Sequence, residues 1–104
     1  MTLDELAEII AGRALADTSE SWTARLLEKG PEKCAQKFGE EAIEAVIEAV
    51  RGDSAALTAE AADVLFHLLV MLYSRGVPLS DVMDELSRRQ GTSGLAEKAA
   101  RKKD

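Results

Sequence analysis

Apolar residues recur at three- and four-residue intervals from Leu3 to Leu86, and no stretch alternates with the period of a strand. The pattern predicts helices throughout. The most apolar stretch, AEAADVLFHLLVMLYS at 59–74, is hydrophobic on nearly every side. At about 100° per residue, its Glu60, Asp63, His67 and Ser74 fall within an arc of roughly 60°. This predicts a core helix carrying one polar stripe, since the run from Asp63 to the Arg75-Gly76 stop is too short and interrupted to span a bilayer.

The rest of the chain is punctuated around that helix. Thr2 to Glu5 has the form of a capping box and opens a first helix running to about Ala16. Ser21 caps a short second helix through Trp22, Leu26 and Leu27 that stops at Gly30. Pro31 begins a long third helix ending at Arg51-Gly52, and Asp53 or Ser54 caps the core helix. Gly76-Val77-Pro78 breaks the chain again, and Ser80 caps a last helix through Val82, Met83 and Leu86. The expectation is an all-α fold: a helical bundle of about five helices in one domain, residues 1–90, followed by a basic flexible tail at 91–104. Apolar positions over some 300° of the core helix exceed what one short and three longer helices can cover. A four-helix-bundle core completed by dimerisation about a two-fold axis is therefore expected, in a homodimer or higher oligomer.

The third helix carries two stripes. Ile43, Val46, Ile47 and Val50 form an apolar one, while Lys33, Lys37, Glu40, Glu41, Glu44 and Glu48 crowd another side. Read alone, the polar side is a solvated face laced with Lys and Glu pairs four residues apart. However, Glu41 and Glu44 are spaced like Glu60 and Asp63, and the short turn at Gly52 makes the two helices antiparallel neighbours, so the four carboxylates converge. Such a cluster repels itself, and a hard divalent cation relieves it; oxygen-only ligation favours Mg²⁺, with Mn²⁺ second. A di-iron site would want His three residues after Glu60, where Asp63 stands. His67 is read as a hydrogen-bonded core histidine, with binding a metal or orienting a ligand as the alternative.

Charge and cysteine use narrow the classes further. The chain of 104 residues has formal charge −6, with its basic residues concentrated after Arg88. An acidic body argues against nucleic acid as the main partner. One cysteine, Cys34, forms no disulfide within the chain, and no secretory leader pattern opens it, so the expectation is a cytoplasmic protein with no membrane partner. An enzyme and a non-enzymatic helical interaction module both explain amphipathic helices. Only the enzyme explains carboxylates on the otherwise apolar core helix.

The pattern E-x-x-E, fifteen residues, E-x-x-D (Glu41, Glu44, Glu60, Asp63) resembles the metal-binding signature of the all-α NTP pyrophosphohydrolase superfamily that includes the MazG proteins. Three longer stretches, SWTARLLEKGPEKCAQKFGEEAIEAVIEA, AEAADVLFHLL and RGVPLSDVMDELSRRQGTSG, resemble the phosphoribosyl-ATP pyrophosphatase family, the histidine-biosynthesis branch of that superfamily. The resemblance covers residues 3–103 and departs chiefly at Cys34, where an aliphatic residue is more usual. It implies a dimer that hydrolyses phosphoribosyl-ATP to phosphoribosyl-AMP and pyrophosphate with Mg²⁺. Glu41, Glu44, Glu60 and Asp63 are then the catalytic metal ligands, and one carboxylate is the base. Glu40 and Glu48 border the face as that base or as supporting groups. Arg25, Lys29, Lys33 and Lys37 recur every four residues across the Gly30-Pro31 break and are placed to neutralise the leaving pyrophosphate. Trp22 is read as core or interface rather than a stacking platform. The alternative of the same superfamily is a general (d)NTP pyrophosphohydrolase.

Overall fold

The computed structural model of the chain describes residues 1–90 together with Lys98 and Arg101, both helical and exposed. Five helices follow in order: α1 (Leu3–Ala14), α2 (Trp22–Glu28), α3 (Pro31–Arg51), α4 (Ser54–Ser74) and α5 (Leu79–Arg89). The all-α expectation holds among the described residues. The expected tail at 91–104 otherwise lies outside them.

Helix ends are set by the residues that the sequence marks. The capping box closes as Glu5 N–H donates to Thr2 Oγ1 at 3.1 Å and Thr2 N–H donates to Glu5 Oε1 at 2.7 Å. Helix α1 stops at Ala14, two residues early, because Asp17 folds the next segment on itself: its Oδ1 accepts from both N–H and Oγ of Ser19, at 2.8 Å each. Ser21 caps α2 by accepting from Ala24 N–H and also donates to Arg13 O at 3.1 Å, which ties α2 to the end of α1. Between α3 and α4 stand only Gly52 and Asp53. Gly52 takes the left-handed conformation (φ 80°) that a side chain would strain, and Asp53 accepts from Ala56 N–H at 3.0 Å. So tight a turn folds α4 back along α3, and theirs is the most extensive helix contact of the fold. The expected Ser80 cap is corrected: α5 starts at Leu79, its cap position is Pro78, and no side-chain cap bond forms. Proline at that position already holds the extended backbone a helix entry needs.

The core is small. Ile10, Leu26, Cys34, Leu69 and Val70 are buried together, with Leu6, Leu27, Phe66, Leu72 and Leu79 packed around them. The core helix is thus covered on one side only: of α4, His67, Leu69 and Val70 are buried, while Leu65 and Tyr73 are exposed. As a whole α4 is long and apolar enough to cross a membrane, yet it carries Glu60 and Asp63 and lies against α1, α2 and α3. Among the described helices α3 carries more uncovered large apolar side chains than any other: its Ile43, Val46, Ile47 and Val50 are 62%, 60%, 47% and 82% exposed. Burying those four side chains is favourable by roughly 10 kcal/mol in all, at about 25 cal/mol per Å².

Candidate active site

Helix α3 meets α4 through its polar side. Cys34, Phe38, Glu41, Ala45 and Glu48 follow one another at three- and four-residue steps along the less exposed flank, opposite the apolar stripe. Glu41 is the buried carboxylate of that flank, 8% exposed. Glu60 and Asp63 approach it from α4, one turn apart. The three residues each offer an oxygen within 4.8 Å of the others, a spacing that can hold one metal ion.

The electrostatics of the group are those of an under-compensated cluster. Burial is the first cause pushing the Glu41 carboxyl above its ordinary range, and the charge of Glu44 is the next. Glu60 is raised for the same two reasons, with Asp63 and Glu48 adding to them. Glu44 therefore stands outside the trio of close oxygens, exposed, but within electrostatic reach of two of its members. Lys37 opposes the repulsion: its Nζ lies 3.9 Å from Glu41 Oε2 and 3.8 Å from Glu40 Oε1. An oxygen-only donor set with excess negative charge suits a hard divalent cation rather than zinc.

The flanking residues are sorted by their partners. Glu40 is occupied, accepting from Gln36 Nε2 at 3.0 Å, a bond that with Lys37 and Lys33 holds its carboxyl below the usual range. Glu48 lies 3.8 Å from Arg51 and still acts on Glu60. Lys29 and Lys33 are exposed, and Arg25 is anchored at the α1–α2 loop, its Nε donating to Thr18 O at 3.1 Å.

His67 differs from the expected hydrogen-bonded core residue. It is buried, at 6% exposed, with its ring edge-on to Phe66, yet its Nδ1 has no hydrogen-bond partner among the described residues. Burial, and then the charge of Lys37, lower its pKa and favour the neutral ring. Trp22 is also not core in this chain: it is half exposed beside a groove between α1 and α2. The sequence carried the Lys37–Glu41 spacing in plain view, but nothing in it distinguished that pair from the other Lys–Glu pairs of α3.

Comparison with known proteins adds the family. Residues 3–90 match the family described as phosphoribosyl-ATP pyrophosphohydrolase. A Cereibacter sphaeroides protein named phosphoribosyl-ATP pyrophosphatase is 66% identical over 99 residues, covering 95% of this chain and 96% of the relative. Proteins of the same name from Paracoccus denitrificans and Roseobacter denitrificans are 67% and 66% identical, covering 96% and 97% of this chain and 93% and 96% of their own lengths.

Proposed function

The chain belongs to the phosphoribosyl-ATP pyrophosphohydrolase family, and from that premise we propose that Glu41, Glu60 and Asp63, completed by Glu44, hold Mg²⁺ on the triphosphate of its substrate. The chain hydrolyses phosphoribosyl-ATP to phosphoribosyl-AMP and pyrophosphate, an early step of histidine biosynthesis, and works in the cytoplasm. The observation that carries the site is the convergence of three carboxylates from two helices within 4.8 Å, without enough cations to balance them.

When bound, Mg²⁺ would screen the triphosphate charge and make a water more acidic. The chain's own residues do the rest. The carboxylates fix where the α-phosphate stands relative to the attacking water. Glu48 is the better base of the two flanking candidates, because Glu40 is committed to Gln36 and Lys37, which hold its carboxyl below the usual range. Lys37, one turn from Glu41, meets the charge that grows on the departing pyrophosphate, with Lys33, Lys29 and Arg25 along the same approach.

The active unit is a dimer built on residues 1–90, its two copies burying the apolar stripe of α3 against each other. That stripe is the largest exposed apolar surface of α3 and faces away from α4, which supports a second copy there. Turnover of phosphoribosyl-ATP with Mg²⁺, with Mn²⁺ and with EDTA tests the reading. Metal-dependent release of pyrophosphate is expected, and preferred turnover of ordinary dNTPs would overturn the substrate assignment.

A further inference from the structure

A recess of the surface reaches α4 at Phe66, about one turn from Asp63. It lies between the end of α1 and the start of α2, measures about 450 Å³, and is lined by Arg13, Glu20, Ser21, Trp22, Thr23 and Phe66. Phe66 connects it to the site: it follows Asp63 by three residues on α4, about 4.5 Å along the helix axis. Its ring is held edge-on against the buried His67, with centroids 5.1 Å apart. The walls are fixed as well, since Ser21 is bonded to both Arg13 O and Ala24 N–H. On this rigid frame Trp22 leaves half its surface to solvent, which costs burial of the largest side chain in the protein and contributes nothing to the core.

The chemistry of the lining matches one end of the substrate. An aromatic face takes a purine ring, a guanidinium takes a phosphate, and a carboxylate accepts from sugar hydroxyls. Phosphoribosyl-ATP has all three beyond its triphosphate: adenine, and a second ribose that bears a phosphate. We propose that the Trp22–Phe66 groove receives the phosphoribosyl-adenine end of the substrate, with adenine on Trp22, the ribose phosphate on Arg13 and sugar hydroxyls on Glu20, while the triphosphate extends along α4 to Glu41, Glu60 and Asp63. Arg13 then separates phosphoribosyl-ATP from ATP, which lacks the group that Arg13 holds, whereas Trp22 serves the adenine that both carry. This rests on the carboxylates binding the triphosphate end.

Trp22 is the one tryptophan of the chain, so its emission reports on the groove directly. Titrating the wild type with phosphoribosyl-AMP in EDTA should give a saturable change in emission, absent with pyrophosphate, and Arg13→Gln should weaken that binding at least tenfold. In turnover, Trp22→Leu and Arg13→Gln should each raise KM for phosphoribosyl-ATP about tenfold with kcat little changed, and Arg13→Gln should also lower its preference over ATP by the same factor, which Trp22→Leu should not, because both substrates carry adenine. No change in emission at saturating phosphoribosyl-AMP would overturn the proposal, as would an Arg13→Gln variant that reduces turnover of phosphoribosyl-ATP and ATP equally. Because the titration contains no metal, its result is independent of the carboxylate reading, which fails separately if Glu60→Gln keeps full Mg²⁺-dependent activity.

Discussion

Lys37 and Glu41 stand one turn apart on the same side of α3, with the lysine Nζ 3.9 Å from the glutamate Oε2. The most buried carboxylate of the site thus has a cation beside it before any ligand arrives. If Lys37 meets the leaving pyrophosphate, Lys37→Met should lower kcat roughly a hundredfold, the usual scale for removing one transition-state donor. Single-turnover kinetics at saturating Mg²⁺ check this; unchanged kcat with tighter Mg²⁺ binding would reduce Lys37 to a counter-charge of Glu41.

Removing a carboxylate should separate activity from stability. Asp63→Ala and Glu44→Ala should lose pyrophosphate release almost entirely while the metal-free proteins melt no lower than wild type, because each deletion relieves like-charge repulsion on Glu41 and Glu60. Circular dichroism melts in EDTA, beside Mg²⁺ titrations by calorimetry, test the pair. Variants that unfold but bind Mg²⁺ normally would make these carboxylates structural.

The stripe of Ile43, Val46, Ile47 and Val50 predicts the oligomer. Val46→Lys should leave helix content intact but raise the dimer dissociation constant by roughly a hundredfold or more, since a charge would be buried without a partner. Sedimentation across the micromolar range reads it. A wild-type monomer with full activity would rule out the dimer.

Cys34 is 1% exposed, and its Sγ donates to Leu26 O at 3.6 Å, a carbonyl that cannot serve as a nucleophile's base. Its burial raises the thiol pKa, which disfavours the reactive thiolate. Cys34→Ser should leave kcat within a factor of about two and cost about 1 kcal/mol of stability, the penalty of a more polar group in the core. Urea unfolding and steady-state turnover on the same preparation decide it.

A pH effect is expected away from the site. Glu85 on α5 accepts from Arg88 at 2.6 Å and from Arg89 at 2.9 Å, bonds that bring its pKa down to about 2. A carboxyl whose pKa is lower folded than unfolded binds fewer protons in the native state, so its stabilisation is complete above the ordinary value of 4.5 and is lost as pH falls towards 2. The gap in melting temperature between wild type and Glu85→Gln should therefore be open at pH 6 and close as pH approaches 2.

Local chemistry was legible without a structure. Thr2, Ser21, Pro31, Gly52 and Asp53 punctuate the chain because caps and turns depend on neighbours a few residues away, and each does in the fold what its type and position foretold. The meeting of Glu41 with Glu60 and Asp63 was legible for the same reason: a two-residue turn leaves two long helices no choice but to lie side by side. Ser80 misled because a serine three residues before an apolar position is a cap only if the preceding residue does not already enter the helix, and Pro78 does.

What periodicity could not decide is which stripe faces which neighbour. On α3 periodicity separates an apolar stripe from a polar one, and it is the fold that turns Glu41 and Glu48 towards α4 and leaves Ile43 and Val50 in solvent. A helix's pattern records that two of its sides differ, whereas their partners depend on the rotation of the helix about its axis, and only tertiary packing sets that. The same limit applied to Trp22 and His67. Their types suit a core, but a half-exposed indole over a groove and a buried imidazole with an unpartnered Nδ1 arise from how α1, α2 and α4 come together.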